Sequence, residues 1–232
     1  LLDLGSDQGV DVRDATADLG GDVQTDLGAD TALPACSWQS QGFVDYARAS
    51  VTHYSVGTAV ACSFTTHPDA QGGSVDHVST GRYFAALNTA DYRTAAACGA
   101  CLEVARGDNG KKVTVTVVDE CPTSSNPRCQ PGHVDLSVAA FAQLADPNEG
   151  CLGRTGPQTS DCKDYPISFR WVPCPTTENV SYRLKEPSNP NWNEIVVQGT
   201  RHPIVKVEGL VGGSWQSATR KNYNYWQVQS GN

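Results

Sequence analysis

The chain has 232 residues, nine Cys, no Met and a formal net charge of −8. This acidic balance argues against electrostatic binding of nucleic acid, and no apolar run is long enough to span a membrane. The length suits one large domain or two of ordinary size, and 22 Gly and 13 Pro with few long helical repeats favour a mainly β protein.

The cysteines indicate an oxidising compartment, because nine of them occur without the paired CxxC arrangement of a zinc site. Cys98 and Cys101 form one CxxC, so thioredoxin-like redox chemistry is an alternative; the βαβ pattern that this chemistry requires is missing around them. The chain begins without Met and without a signal peptide, which is typical of a processed, exported protein. We therefore expect a secreted, extracellular protein.

Residues 1–35 form an acidic segment. It contains eight Asp, Arg13 is its only basic residue, and it carries −7 of the net charge. It has no aromatic residue and few apolar side chains to bury, which predicts a disordered, self-repelling tether. A calcium-binding repeat is the alternative, but the ligand spacing of an EF-hand and the glycine pattern of a β-helix repeat are missing.

Residues 36–174 are expected to form one domain, which starts where aromatic residues first appear. An Ala-rich stretch is expected to be helical at 89–97. Alternating apolar and polar residues predict several strands, at 48–54, 101–105, 112–119 and 166–172.

The stretch 112–141 carries the chemistry of this domain. Its strand ends at Asp119, a loop rich in Pro, Ser and Asn follows, and Asp135 lies just before an apolar run that suits a short helix. Two carboxylates therefore flank a loop that Cys121 and Cys129 can close, and they can meet in one groove. The alternative is structural: Asp135 and Ser137 only start the helix, where Asp and Ser are preferred.

Residues 175–232 are expected to form a second, β-sandwich domain that starts after a Pro-rich boundary and carries a net charge of +2. Trp192 lies in a polar loop, where burial is disfavoured, and its flat face suits the C–H face of a sugar ring. Tyr182 and Trp215 are assigned to the core. Strands are expected in four places, at 180–185, 194–198, 204–208 and 214–218.

Several motifs of the chain resemble those of expansins, in particular the microbial expansin-like proteins. The resemblance begins at about Ser50 and leaves out the acidic segment. The motifs occur in the family's order, as VTHY at 51–54, CGACLEV at 98–104, VTVVDECP at 115–122, GHVDLS at 132–137 and YRLKE at 182–186, followed by Trp192, Trp215 and Tyr223-Asn224.

The resemblance implies a six-stranded double-psi β-barrel followed by an immunoglobulin-like β-sandwich that binds cellulose. By motif, the barrel groove would contain Thr52, Asp119 and Asp135. The cellulose-binding surface would contain Trp192 and Tyr223, with Lys185 beside them. No cofactor and no metal are implied.

This chain departs from the bacterial relatives at two of these positions. Cys121 stands where they often have Tyr, and Asn191 stands where they often have a second Trp, so each surface lacks one ring. In addition, a full second domain would need further strands after Tyr223, so we expect either that the sequence is a fragment or that this domain is abbreviated, with exposed strand edges and apolar surface.

The resemblance to plant expansins implies that Cys62 pairs with Cys98 and that Cys101 pairs with Cys174. Proximity in the sequence adds Cys121–Cys129 and Cys151–Cys162. Cys36 is left over, either free or paired between molecules.

The implied barrel is shared with inverting endoglucanases of the family-45 type, which need an acid and a base about 6.5–9.5 Å apart. Asp135 lies in the motif of their acid, but Val56 stands at the position of their base. We therefore expect a monomeric protein that is not an enzyme and loosens plant cell walls by binding cellulose and glucans such as xyloglucan. The alternatives are an endoglucanase or lytic transglycosylase with a single Asp, and a pure adhesion module.

Overall fold

The computed structural model describes residues 38–57, 59–67, 74–76, 83–176, 179–189 and 192–228. The acidic segment, Cys36 and Asn191 lie outside the described residues. Fourteen strands are present in this part of the chain: β1 (Tyr46–Tyr54), β2 (Thr65–His67), β3 (Ser74–Asp76), β4 (Phe84–Asn88), β5 (Cys101–Arg106), β6 (Lys111–Cys121), β7 (His133–Ser137), β8 (Ile167–Val172), β9 (Ser181–Leu184), β10 (Asn193–Gln198), β11 (Glu208–Val211), β12 (Ser214–Ser217), β13 (Thr219–Arg220) and β14 (Trp226–Val228).

Helical structure in the described residues is limited to short pieces, as the composition predicts. Two are α-helices, α1 (Thr89–Tyr92) and α2 (Val138–Phe141), and three are 3₁₀ turns, at Trp38–Gln41, Pro147–Glu149 and Pro157–Thr159. No helix in the described ranges has the length and apolar character needed to cross a bilayer.

Six strands close into a barrel in the order β1-β7-β4-β6-β5-β8, which confirms the predicted closed barrel of a mainly β protein. The alternation along β6 explains its position, because Val113, Val115 and Val117 are buried in the barrel core. The same core takes fully buried Leu87 and Leu102 from the neighbouring strands. Closure leaves the barrel without an unpaired edge.

Strand β4 separates the two strands that carry the candidate acids. It runs parallel to β6, with Ala86 opposite Asp119, and antiparallel to β7, with Ala86 opposite Asp135. Since neighbouring strands lie about 4.8 Å apart, this register sets the two acidic residues about 10 Å apart at one level of the barrel wall.

The helix expected over 89–97 is much shorter in the structure. α1 ends at Tyr92, and the next three residues, Arg93, Thr94 and Ala95, all have positive φ. The tertiary structure overrides the helical preference of alanine here: Tyr92 is almost fully buried, and the chain turns so that Cys98 reaches Cys62.

The C-terminal part contains a four-stranded sheet, β13-β14-β10-β9, and a separate hairpin, β11-β12. Ile195, Val197 and Trp226 of the sheet pack with Ile204 and Val207 in a small core of their own. The strand expected at 204–208 is absent except for Glu208, where β11 begins.

Two aromatic side chains that the sequence pattern assigns to the core are exposed. Tyr182 is 51% exposed because it lies on β9, the edge strand of the sheet. Trp215 is 41% exposed because it lies in the β11-β12 hairpin, which pairs with no further strand in the described residues.

The described residues contain four disulfides, Cys62–Cys98, Cys101–Cys174, Cys121–Cys129 and Cys151–Cys162, and they are the pairs expected from the sequence. The two cysteines of the CxxC, Cys98 and Cys101, have different partners. The thioredoxin-like alternative is therefore wrong, since that chemistry needs these two sulfurs to bond to each other.

The turn at Cys62 and Ser63 joins the barrel to the C-terminal sheet. The Ser63 hydroxyl donates to the carbonyl of Tyr223 at 2.6 Å, and the Arg183 guanidinium donates to the carbonyl of Ser63 at 2.7 Å. The side-chain amide of Asn224 donates to the carbonyl of Cys62 at 3.2 Å.

Candidate functional site

Thr52 and Asp135 are joined across the parallel pair β1 and β7. They lie opposite each other in the register, and the Thr52 hydroxyl donates to Asp135 Oδ1 at 2.7 Å. Both side chains are buried. Burial raises the pKa of Asp135 above its ordinary value, the charge of Asp119 acts in the same direction, and the Thr52 hydrogen bond opposes them. Asp135 therefore holds a proton more readily than a solvated aspartate does.

A buried histidine continues this contact. His133 Nε2 lies 2.9 Å from the Thr52 hydroxyl, and its Nδ1 lies 2.8 Å from the Ser50 hydroxyl. Thr52 has one hydroxyl proton and gives it to ionised Asp135, so it accepts from His133 Nε2–H. His133 Nδ1 then accepts from Ser50. Burial and the charge of Arg128 lower the pKa of His133 to about 4, which keeps the ring neutral at neutral pH.

Asp135 does not begin the following helix, so the structural alternative for it is wrong. The cap of α2 is Ser137, whose hydroxyl accepts from the backbone N–H of Ala140 at 3.2 Å. The carboxylate of Asp135 is instead directed to Thr52.

Asp119 is engaged with the backbone on one side. Its Oδ1 accepts from the N–H of Ala61 at 2.7 Å and from the N–H of Glu120 at 2.9 Å. Burial raises the pKa of Asp119 even though these two N–H groups favour its charged form. One of its two oxygens is thus occupied by the protein itself.

Tyr54 is a member of this cluster that sequence reasoning missed. Burial and the charges of Asp119 and Asp135 raise the pKa of its phenol well above the ordinary value. The Tyr54 hydroxyl is buried and has no hydrogen-bond partner among the described residues. The period of a β-strand could have predicted it, since Tyr54 follows Thr52 by two residues on one strand and its side chain therefore lies on the same face. We call Thr52, Tyr54, Asp119 and Asp135 the acid cluster.

The Cys121–Cys129 disulfide lies against the acid cluster. Cys121, Cys129 and Ala86 form a small buried group on which Tyr54 packs. The sulfur of Cys121 lies 3.8 Å from Asp135 Oδ2. Cys121, Cys129 and Asp135 also bring three potential metal ligands together, but the two sulfurs are bonded to each other and are not available as thiolates.

Val56, at the position where the resemblance placed a catalytic base, follows β1 and is half-buried against the barrel core. An aliphatic side chain there cannot accept a proton.

The second group of expected site residues is brought together in the C-terminal part. The Lys185 ammonium lies 4.2 Å from the ring centre of Tyr223 and 5.6 Å from that of Trp192. Lys185 also pairs with the buried carboxylate of Glu194 at 3.0 Å, and the Tyr223 hydroxyl donates to both Glu194 oxygens. Trp192 is half-buried. We call Lys185, Trp192, Glu194 and Tyr223 the aromatic cluster; Glu194 was not anticipated from the sequence.

A closed six-stranded barrel with one acid on each of the two strands that flank β4, followed by a second β region, is typical of the double-psi β-barrel class of proteins. Residues 79–153 match a family model described as lytic transglycolase. The chain is 31% identical over 182 residues to Expansin-like protein 5 of Dictyostelium discoideum, covering 77% of this chain and 67% of that protein. It is 30% identical over 156 residues to Expansin-YoaJ of Bacillus subtilis, covering 66% of this chain and 59% of that one.

The chain belongs to the expansin family. It spans about two thirds or less of the length of these relatives. Among solved structures, it resembles a mutant expansin of Clavibacter michiganensis in complex with cellohexaose, with a TM-score of 0.61 and 31% identity over 81% of this chain and 82% of that one.

Proposed function

We propose that this protein loosens plant cell walls by holding glucan chains without cleaving them. It acts outside the cell and needs no cofactor. The acid cluster forms a groove that grips one glucan chain, and the aromatic cluster holds cellulose by stacking. The solved relative in complex with cellohexaose supports a β-glucan as the ligand.

The observation that carries the proposal is the set of hydrogen bonds that Asp135 and Asp119 form within the barrel. Asp135 is buried and hydrogen-bonded to Thr52, so it can donate to or accept from a sugar hydroxyl. Asp119 has one oxygen occupied by two backbone N–H groups, which ties it to the barrel wall. The position at which related endoglucanases carry their general base is Val56, which has no carboxylate to activate water.

Tyr54 completes the groove in this proposal. Its buried hydroxyl is affected by the charges of Asp119 and Asp135 and lacks a partner in the described residues, so a sugar hydroxyl is a suitable acceptor for its proton. A glucan chain that binds here satisfies this group, which favours a separated chain over one packed in a crystal. Wall polymers then slip under tension.

Mutation of the groove tests this proposal. Asp119→Asn should abolish extension of wall strips held under load while leaving cellulose binding intact. Asp164→Asn is the matched control, because Asp164 is exposed and lies outside both clusters. Extension that survives Asp119→Asn would remove the groove from the mechanism.

A second candidate is a lytic transglycosylase or an endoglucanase, which the match of residues 79–153 to the lytic transglycolase family favours. Asp135, with its raised pKa, would be its acid. The test measures reducing ends released from amorphous cellulose and mixed-linkage glucan, and soluble fragments released from peptidoglycan, over a long incubation. Products that appear with the wild type and vanish with Asp135→Asn would establish the enzyme and overturn the non-hydrolytic proposal.

A further inference from the structure

An open cleft of about 400 Å³ lies where the barrel meets the C-terminal part. It shares no residue with the acid cluster or the aromatic cluster. Arg93 and Thr94 line it from the barrel, and Val205, Arg220 and Trp226 line it from the C-terminal part. Its volume lies within the range of about 300–1,000 Å³ that small-molecule sites occupy.

Within the described ranges, no carboxylate neutralises the positive charge of the cleft. Arg93 donates to the carbonyl of Gln41, and Arg220 donates to the carbonyls of Ala95 and Ile204. No Asp or Glu lines the cleft, and neither arginine has an acidic partner among the described residues. Carbonyl groups satisfy N–H donors but leave the charge of each guanidinium uncompensated.

Two N–H donors in the lining have no partner in the described part of the chain. They are Nε of Arg220 and Nε1 of Trp226, and both atoms are buried. Trp226 is only 5% exposed, and the Arg220 guanidinium lies 4.3 Å from the centre of its ring. The two donors therefore belong to side chains that pack against each other. A buried donor without an acceptor is destabilising, so this pair favours a ligand that brings acceptor atoms.

The arginines are held in place by the backbone around them. Arg93, Thr94 and Ala95 have φ of 54°, 52° and 69°, a conformation that ordinary residues avoid. The carbonyl of Ala95 accepts from Arg220 at 2.8 Å, so the turn that presents Arg93 is fastened to the second arginine. The site is organised before any ligand arrives.

We infer that this cleft binds the carboxylate of an acidic saccharide. A carboxylate brings two acceptor oxygens for the unpartnered donors of Arg220 and Trp226, and its negative charge compensates that of Arg220 and of Arg93. The rim is apolar at Val205, whose side chain is 54% exposed, and it suits the C–H face of a sugar ring. This ligand differs from the neutral glucan of the proposed groove, so the site goes beyond the proposed function.

The experiment is a calorimetric titration of the full chain with digalacturonate at low salt. We expect binding to the wild type, and a loss of about tenfold or more in affinity on Arg93→Gln or on Trp226→Phe, which keeps a ring but removes the donor. Arg48→Gln is the matched control, because Arg48 is an exposed arginine outside the cleft. The dimethyl ester of digalacturonate should bind at least about tenfold more weakly than the free acid.

Three results would overturn the inference. The first is unchanged affinity in both folded variants, or equal binding of the ester. The second is inorganic phosphate binding as tightly as digalacturonate, which would mark a general anion site. The third concerns the acidic segment, whose eight Asp can be replaced by Asn. If this replacement shifts the indole N–H resonance of Trp226 without added ligand, the acidic segment itself occupies the cleft. The Asp119→Asn variant tests only the groove of the acid cluster, so its effect on wall extension leaves the inference about the cleft unaffected.

Discussion

Thr52 and Asp135 lie opposite each other on neighbouring parallel strands, and a hydrogen bond of 2.7 Å joins their side chains. Through the same hydroxyl, Thr52 contacts His133. The ionisation of Asp135 therefore depends on the Thr52 hydrogen bond, which is lost when the Thr52 hydroxyl is replaced by a methyl group.

Thr52→Val should raise the pKa of Asp135 further, because the hydrogen bond that favours the carboxylate is lost. It should also lower the free energy of unfolding by about 1–3 kcal/mol, since His133 Nε2–H is left buried without an acceptor. A ¹³C titration of the Asp135 carboxyl and a urea unfolding curve measure the two effects. Thr52→Ser is the control and should retain both values.

His133 should make the protein less stable in acid. Its pKa is about 4 in the folded state and about 6.5 in the unfolded chain, so between these values the unfolded state binds more protons. Stability from this residue is complete above pH 6.5 and falls by about 3 kcal/mol as the pH drops to 4. From pH 7 to pH 4, the free energy of unfolding should fall more in the wild type than in His133→Gln. The difference between the two falls should equal this amount. An equal fall in both proteins would contradict it.

Glu194 should matter for cellulose binding although it is buried. Its carboxylate holds both Lys185 and the hydroxyl of Tyr223, and Gln can offer only one acceptor oxygen to these two donors. We expect Glu194→Gln to weaken cellulose binding by about 1 kcal/mol, or roughly fivefold, in a pull-down isotherm.

Two further variants, one expected to have a larger effect and one expected to have none, serve as controls for that measurement. Trp192→Ala should weaken cellulose binding more than Glu194→Gln does, because it removes a stacking ring. Trp215→Ala removes an exposed ring outside the aromatic cluster and should leave binding unchanged. If all three variants bind alike, the aromatic cluster is not the cellulose surface.

The Cys121–Cys129 disulfide should serve the groove as well as stability. Replacing both cysteines by Ser should lower the free energy of unfolding by about 2–3 kcal/mol, as expected for a loop this short. Wall extension should fall as well, because the disulfide packs beside Asp135 and Tyr54.

The Cys151–Cys162 pair offers a matched control. It closes a loop of similar length, with a sequence separation of 11 against 8, and it is not part of the acid cluster. Its double Ser variant should lose similar stability in thermal unfolding and retain extension relative to the amount of folded protein. Equal loss of extension in both variants would assign the effect to stability alone.

Sequence reasoning was most reliable where local pattern and tertiary structure agree. The alternation at 112–119 predicted β6, and the motif order predicted the closed barrel. It failed at 93–97, where alanine favours a helix but the burial of Tyr92 and the bond to Cys98 require a turn.

It also failed where burial depends on a partner that is distant in sequence. Tyr182 and Trp215 were assigned to the core by composition, but each lies on a strand that the described residues leave uncovered. The burial of Glu194 was likewise not predictable from the local sequence. Its carboxylate is buried with two partners, Lys185 and Tyr223, that lie 9 and 29 residues away.

The turn at Cys62 and Ser63 has a mechanical consequence. It is bonded covalently to Cys98 in the barrel, and its backbone and hydroxyl are hydrogen-bonded to Tyr223 and Asn224. Force applied to Tyr223 is therefore transmitted to the barrel through this turn, alongside the hydrogen bond between Arg220 and the carbonyl of Ala95. Under the proposed function, tension on a polymer bound at Tyr223 would be transmitted through the same bonds to the strands that carry the acid cluster.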